Sequence, residues 1–561
     1  MQLHTINSSI DKKTFSATLL LRAVFVIAFA IMCATPIHAA LHRSTPQAQG
    51  VNTDALAQLI NSINKLAYTQ LHHMVILKNG YMVASLHASP YREGDVHNQF
   101  SACKTITALA VGLAIEDGKL SLDDKVADIF ANKATLLSTA ERNTITVRHL
   151  LTMTSGKEVR TAIRDTTSNW VDNWLSLPGG SAGKRFAYDS MSSFMLSAII
   201  QHVTGKTMLS YLQERIFTPM GINDAEWELS PSGINTGGWG LRISTESMAM
   251  IGQLLLQRGQ WNGKQLISGK WVDMMTSDQL KAMGCASGLS YNRLDDGYGF
   301  QVWRCGLDGA YRAQGNYGQL LFVYPQGNLV IAINCSTPHQ MQLLNIVQQQ
   351  AAKMVRNASS SSTTPQQLDA VSGNVDVPLI QGKQWSSWPQ EIHLSLNDNS
   401  YNIKHVTVCN KAGNVALYLK FNDGENDTIA LGYNKWIYSR FNGKPIYNVG
   451  AQGRFSGMTR GFSVAGNYAW SSDNKLVMQY HFVDWYSALT MVIDFNNSTI
   501  NLTENKMTSK SQTIAFHMDG KSEQSAMSIN IHKIVFIAFI LLLMCIAVAS
   551  LARRFVRKKN K

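Results

Sequence analysis

Residues 101–118 read SACKTITALAVGLAIEDG: an SxxK tetrad, then a largely apolar run over 105–115 that closes at Gly118. The run predicts a helix buried at a domain centre, and Ser101 opens it. Three residues make nearly one helical turn, so the Lys104 amine lies over the turn that bears the Ser101 hydroxyl. There Lys104 can accept the proton that turns Ser101 into a nucleophile. For that the amine must itself be neutral, which requires its pKa to fall from about 10.4 toward neutrality through desolvation and nearby positive charge. A serine at a helix start also serves as an N-cap, and the tetrad alone does not separate the two roles. The same spacing recurs at Ser9/Lys12, Ser62/Lys65, Ser181/Lys184 and Ser472/Lys475. Only Ser101 precedes a long apolar helix that keeps its lysine dry; the others fall in the basic N-terminus, an amphipathic surface helix, a glycine loop and a turn.

Around this helix the pattern mixes strands and helices over residues 41–355. Asn79-Gly80 between apolar runs in 74–85 predicts a hairpin, and 320–335 reads as two strands about Pro325-Gln326-Gly327. Residues 194–216 and 248–256 carry helical spacing. Strands at both ends with helices between predict an α+β unit, an antiparallel sheet covered by a helical layer. NASSSSTTP at 357–365 has the composition of a flexible linker, placed at 356–372. Beyond it, 373–525 alternates short β-branched and aromatic runs with Asn, Asp and Gly turns, as in 402–408, 415–421, 476–482 and 489–495, and predicts an all-β domain. Its tryptophans Trp385, Trp388, Trp436, Trp470 and Trp485 either fill a core or line a lipocalin-like pocket.

The chain has 561 residues, 45% hydrophobic and 16% charged, which excludes a disordered or collagen-like protein. Its formal net charge is +13, but much of the excess sits at the two ends, with Lys12, Lys13 and Arg22 at one and Arg553, Arg554, Arg557, Lys558, Lys559 and Lys561 at the other. Nucleic acid is therefore not an expected partner. Residues 1–40, with cations, an apolar core at 23–34 and Ile37-His38-Ala39, read as a signal peptide or, uncleaved, as an N-terminal anchor. Residues 534–552 carry no charge and are expected to form a C-terminal transmembrane helix followed by a basic cytoplasmic tail at 553–561. The expected location is the inner (plasma) membrane, single-pass, with the catalytic domain on the periplasmic or extracytoplasmic side.

Five cysteines lie between these ends, and Cys285–Cys305 is the candidate bridge, with free buried thiols as the alternative. His72-His73 are strand neighbours that should point to opposite faces, away from any shared metal. No HExxH or GxxxxGK[ST] motif occurs. No metal and no cofactor are expected.

The residues resemble the serine β-lactamase-related hydrolases: class C β-lactamases, D-alanyl-D-alanine peptidases, esterases and 6-aminohexanoate-dimer hydrolases. The likeness covers about 44–338. It runs in order through Ser44-Thr45-Pro46 with Gln49-Gly50-Val51, SACK at 101–104, ITVRHLLTMTSG at 145–156, FAYDS at 186–190, 204–221, 237–263 and AQGNYGQ at 313–319. The stretch from Gly237, GGWGLRISTESMAMIGQLLLQRGQWNGKQLIS, is most similar to the 6-aminohexanoate-dimer hydrolase branch. The resemblance implies a β-lactamase/transpeptidase-like fold and catalytic roles for Ser101, Lys104 and Tyr188, the tyrosine shuttling protons with the lysine. It implies an oxyanion hole from the backbone N–H groups of Ser101 and Asn316, with Ser190, Gln314 and Gly315 against the substrate.

Three departures from the family pattern bear on substrate. Ala313-Gln314-Gly315 stands where better-known members carry Lys-Thr-Gly or His-x-Gly, so the cation that holds a substrate carboxylate is missing. Arg312, a strand neighbour, should face away. Ser190 replaces an asparagine, and Met153 replaces a histidine in a structural position. The expected function is therefore a membrane-anchored serine hydrolase that cleaves small-molecule amides or esters through an acyl-enzyme on Ser101. The alternatives are a true β-lactamase or D,D-peptidase and a catalytically silent cell-envelope binding protein. The oligomeric state is open.

Overall fold

A computed structural model describes residues 41–158, 168–284, 296–356, 361–385, 388–443, 445, 455–504 and 511–518; those from His42 onward belong to one compact unit. Asn79 and Gly80, at φ 55 and 82, form the turn that joins strands Gln70–Lys78 and Tyr81–His87, since two left-handed residues match the twist of a tight hairpin. Gln70–Lys78 also pairs antiparallel with Leu329–Ser336, bringing the two ends of the domain side by side. Gln319–Tyr324, Tyr311–Gly315 and Trp303–Arg304 complete a six-stranded antiparallel sheet.

Leu329–Ser336 is buried along its whole length because both faces of the sheet are covered. Ile331 and Ile333 share a core with Leu56, Leu59, Ile60, Leu343 and Val347 of helices Thr53–Asn64 and Gln340–Met354. On the other face, Gly252 of helix Thr245–Leu256 sits so close to Val330 and Leu321 that a Cβ would lie 2.6 and 2.8 Å from them. The apolar run after the SxxK tetrad forms helix Lys104–Glu116, buried from Lys104 to Ala114. The helix expected over 194–216 is divided. Ser190–Thr204 stops at Gly205, whose left-handed φ of 71 caps it, and a new helix starts at Met208.

Residues 361–372, within the segment read as a linker, are tied down. Asp54 accepts from the backbone N–H of Ser362 and Thr363 at 3.1 and 2.7 Å. The Thr363 hydroxyl and these N–H groups hold its carboxyl at about 2. Helix Pro365–Gly373, closed by a Thr364/Gln367 capping box, packs Leu368 and Val371 on the first domain's core.

The C-terminal strands, from Glu391–Leu396 to Ser511–Met518, pair in sequence around a ring that closes through Asn426–Tyr433 against Phe462–Ser472. Ile437–Phe441 hangs on as an edge strand. Among the described residues the closed ring has nine strands, a β-barrel. Its interior is packed: Trp385, Trp470 and Trp485 belong to one core with Leu394, Val406, Leu417 and Ile493, and Trp388 packs against that core. Core filling, not a lipocalin-like pocket, is the role of these three tryptophans.

The membrane expectation is corrected. No helix among the described residues is long and apolar enough to cross a membrane. The longest, Ser190–Thr204 and Gln340–Met354, have 15 residues, about 22 Å at 1.5 Å per residue, short of the ~30 Å hydrocarbon layer. The run at 534–552, like the presumed signal segment 1–40, lies outside the described residues. The structure therefore does not support a C-terminal transmembrane helix or a single-pass inner-membrane location. Cys305 carries a free, buried thiol, and Cys285, its candidate partner, lies outside the described residues.

His72 and His73 also depart from simple alternation. A register shift between Leu71 and His73 bulges the strand, and both rings then pack against Tyr91, 3.9 and 5.6 Å between centroids, and against His97. His72 Nδ1 meets His97 Nε2 at 2.9 Å, and the Tyr91 hydroxyl reaches His481 of the barrel at 3.2 Å. Among the described residues no group of three or more His, Cys, Asp or Glu is arranged to hold a metal.

Burial pushes all four histidines down, His97 to about 4 and His481 to about 3, His72 and His73 well below 6.5. A histidine whose folded pKa lies below its unfolded value stabilises fully above about pH 6.5, and that stability is lost as the pH falls. Each contributes a slope of about 1.4 kcal/mol per pH unit. Asp484, raised by burial to about 7, has the opposite sign and offsets only one of them. The thermal midpoint should therefore drop as the pH is lowered from 6.5 toward 4.5, and His481→Asn should flatten that slope. A midpoint independent of pH over this range would contradict the buried cluster.

Candidate active site

Lys104 is 1% exposed, and its Nζ lies 2.9 Å from Ser101 Oγ, 3.0 Å from Ser190 Oγ and 2.6 Å from the Gly238 carbonyl, to which it donates. By contrast, Lys65, Lys184 and Lys475, the lysines of the other described SxxK pairs, are exposed. Ser101 lies in the 3-10 turn Phe100–Cys103 that leads into helix Lys104–Glu116, whose N-cap position is Cys103 and not Ser101. Cys103, the other nucleophilic side chain of the tetrad, faces away. Its Sγ lies 3.5 Å from the Gly237 carbonyl, and burial pushes the thiol up to about 12, which leaves it protonated and inert.

Tyr188 and Ser190 reach the lysine because of how FAYDS is pinned. Ala187 N–H donates to the Met153 carbonyl at 2.8 Å and Asp189 N–H approaches Met153 Sδ at 3.3 Å, so Met153 has a structural task. Asp189 then caps helix Ser190–Thr204, accepting from the N–H groups of Met191 and Ser192 at 2.8 and 2.9 Å, and Ser190 becomes its first residue. The Tyr188 ring centroid lies 4.9 Å from Lys104 Nζ and stacks on Trp303 at 5.4 Å. Below them Tyr298 is fully enclosed; burial, with a further push from Tyr188, raises its phenol well above the usual value.

Strand Tyr311–Gly315 brings the third motif to the same place. Gly315 presses on the chain just before Ser101, so close that a Cβ would fall 2.2 Å from the Gln99 carbonyl and 3.1 Å from Phe100 Cβ. Asn316, next in the chain, is exposed at the turn. Gln314 is buried, and its Oε1 accepts from Arg312 Nε at 2.8 Å. Arg312 is itself enclosed, bonded to the Arg304 carbonyl and set 5.5 Å from the Trp303 ring. Arg312 and Gln314 thus share a strand face, as residues two apart do.

Several supporting groups carry no motif signal. The Gly238 carbonyl is one; its backbone passes so near Ser190 that a Cβ would meet the Ser190 carbonyl at 2.6 Å. Gln301 ties the helices together, its carbonyl accepting from Thr105, its Oε1 from Ser193, and its Nε2 donating to the carbonyls of Leu150 and Leu151. Trp303 and the barrel residues Asp484–Tyr486 are the others. The glycine pair Gly237-Gly238 is the one signal that could have found any of them, since paired glycines permit close backbone approach.

Ser101, the buried Lys104 and Tyr188 thus meet beside the antiparallel sheet. The family model described as Beta-lactamase matches residues 71–353, and the chain belongs to that family, the serine β-lactamase-related hydrolases. It is 21% identical over 316 residues to 6-aminohexanoate-dimer hydrolase of Paenarthrobacter ureafaciens, covering 53% of this chain and 80% of that protein. It is 26% identical over 167 residues to lovastatin esterase of Penicillium rubens, covering 25% of this chain and 41% of that one. Among solved structures, a putative β-lactamase from Bacteroides dorei is similar at TM-score 0.48 and 18% identity, over 55% of this chain and all of that one.

The close packing at Gly315 has a direct consequence. Gly315→Ala should destabilise the protein by about 1–3 kcal/mol, the range for an overpacked methyl, read as a lower urea midpoint. An unchanged midpoint would contradict the contact with Gln99.

Proposed function

We propose that this chain is a serine hydrolase that cleaves amide or ester bonds of small molecules through an acyl-enzyme on Ser101. The observation that carries this reading is the 2.9 Å approach of Lys104 Nζ to Ser101 Oγ in a position removed from water. A neutral amine has two N–H donors and one lone pair. Donation to the Gly238 carbonyl and to Ser190 Oγ leaves the lone pair to accept the Ser101 proton. As that proton moves to Nζ, Oγ attacks the substrate carbonyl carbon. The N–H groups of Ser101 and Asn316 stabilise the resulting oxyanion. Collapse of the tetrahedral intermediate expels the amine or alcohol, which takes a proton relayed from Lys104 through the Tyr188 phenol. A water molecule, deprotonated by the same pair, then attacks the acyl-enzyme and releases the acid.

Ser190, Gln314 and Gly315 border the substrate in this reading. Two relatives are named for hydrolysing a 6-aminohexanoate dimer and for acting as an esterase on lovastatin, which fits a substrate range of amides and esters. Penicillins and peptidoglycan stems present a carboxylate that is best held by a free cation. Arg312, the cation on the relevant strand, is enclosed and bonded to Gln314 and Arg304, so neutral substrates are favoured.

A fluorophosphonate probe should label the wild type on Ser101 and leave Ser101→Ala unlabelled. Lys104→Met should slow p-nitrophenyl ester hydrolysis by about 10²- to 10⁴-fold, the usual worth of a general base. Nitrocefin turnover should be slow or absent. Folded wild-type protein with no adduct on Ser101 would favour the silent binding protein, and rapid nitrocefin hydrolysis would favour a true β-lactamase.

A further inference from the structure

The residue before the candidate nucleophile and the residue after the second oxyanion donor share an unusual property. Phe100 has φ 46 and Tyr317 has φ 63. A side chain with a β-carbon disfavours the left-handed region, so each conformation needs support from its surroundings. Phe100 immediately precedes the N–H of Ser101, and Tyr317 immediately follows Asn316. The Phe100 dihedrals therefore orient the peptide that carries the Ser101 N–H, and Tyr317 fixes the turn on the C-terminal side of Asn316, beside the other group assigned to the oxyanion hole.

The support comes from the barrel. The Phe100 and Tyr317 rings meet edge to face at 5.3 Å. Tyr486 closes the set: its ring stacks on Tyr317 at 4.2 Å with an interplanar angle of 15° and lies 5.5 Å from Phe100. Trp485 sits 5.4 Å from Phe100, and Phe100 belongs to the barrel's core rather than to the sheet's. Tyr486 is 2% exposed, so it acts beneath the cleft and not on substrate.

The segment bearing these rings is itself fixed to the first domain. The Asp484 carbonyl accepts from Asn98 N–H at 3.1 Å, and Asn98 Oδ1 in turn accepts from Phe100 N–H at 2.6 Å. The Asp484 carboxylate takes the buried Arg242 guanidinium at 3.1 Å and the Ser463 N–H at 3.1 Å. Arg242 also pairs with Glu226, whose other oxygen accepts from the N–H groups of Thr459 and Arg460 in the barrel. Arg242 lies in strand Leu241–Ser244, and the Leu241 carbonyl at the start of that strand accepts Gln99 N–H at 2.9 Å. One continuous set of contacts joins the barrel turn to the chain entering Ser101.

We propose that Tyr486 of the barrel is a positioning residue for the hydrolase: its ring holds Phe100 and Tyr317 in their left-handed conformations and so aligns the Ser101 and Asn316 N–H groups on the oxyanion. This rests on the assignment of Ser101 as nucleophile. The barrel is on this view a working part of the active site, and the second domain completes the first.

The test uses the full-length protein with Tyr486→Ala, Tyr486→Leu and Tyr486→Phe, and Val408→Ala in the barrel core as a control for general loosening. Tyr486→Ala and Tyr486→Leu should lower kcat for p-nitrophenyl ester hydrolysis by about 10- to 100-fold, somewhat less than outright loss of an oxyanion donor, with KM nearly unchanged. The affinity of a boronic acid that forms a tetrahedral adduct on Ser101 should fall by the same factor. Tyr486→Phe, which keeps the ring, should restore both, and Val408→Ala should lower the thermal midpoint while leaving kcat intact. If Ser101 is labelled in the wild type and Tyr486→Ala or, should that variant not fold, Tyr486→Leu keeps the wild-type kcat, the positioning role is overturned and the hydrolase reading stands. A Tyr486→Phe variant as impaired as Tyr486→Ala also overturns it, since the ring would then not be the active element. A wild type with no adduct on Ser101 overturns both.

Discussion

Removing a lysine amine from water is unfavourable unless polar atoms replace the lost solvent. Here the Gly238 carbonyl, Ser190 Oγ and Ser101 Oγ do so. Much of the first domain's construction follows from bringing those three atoms around Lys104. Helix Lys104–Glu116 must be central and apolar. Asp189 must start helix Ser190–Thr204 where Ser190 faces inward, and two glycines must let the chain at 237–238 pass against that helix. The sheet then delivers Gly315 against Gln99, which sets strand Tyr311–Gly315 beside the serine.

The barrel meets this assembly through polar and aromatic groups that are almost all enclosed. Arg242 sits between Glu226 and Asp484, two carboxylates on one guanidinium. Burial works to raise both, but hydrogen bonds from Arg242, Thr459 and Arg460 hold the Glu226 carboxyl below its usual value, while Asp484 rises to about 7. A junction with so many buried charges and rings is unlike the exposed, polar contacts of domains that move freely. It is the kind of contact that fixes geometry, at some expense in stability.

Much of the fold was legible because local chemistry and burial agree. The Asn79-Gly80 hairpin, the apolar helix after Ser101 and the short alternating strands of the second domain stand where their patterns put them. Ser101 and Lys104 were legible from context, since only their helix was apolar enough to exclude water. What escaped was long-range. The Gly238 carbonyl has no side chain to signal it, Gln301 looks like any polar residue, and Tyr486 lies 385 positions from Ser101. Strand alternation failed at His72-His73 because a bulge turned both rings to one side. It held at Arg312, whose side chain shares a face with Gln314, two residues on, and bonds to it. The linker reading of 357–365 took composition for mobility, where Asp54 and a capped helix hold much of the segment.

The central claim is that Ser101 attacks and that the backbone of Ser101 and Asn316 receives the negative charge. The most direct measurement is a crystal structure of the full-length protein after reaction with a phosphonate ester. Phosphorus bonded to Ser101 Oγ is expected, with a non-bridging oxygen about 2.7–3.1 Å from both N–H groups, the range for an oxyanion hole, and Lys104 Nζ still beside Oγ. Phosphorus on another residue, or an oxygen turned away from Asn316, would contradict it.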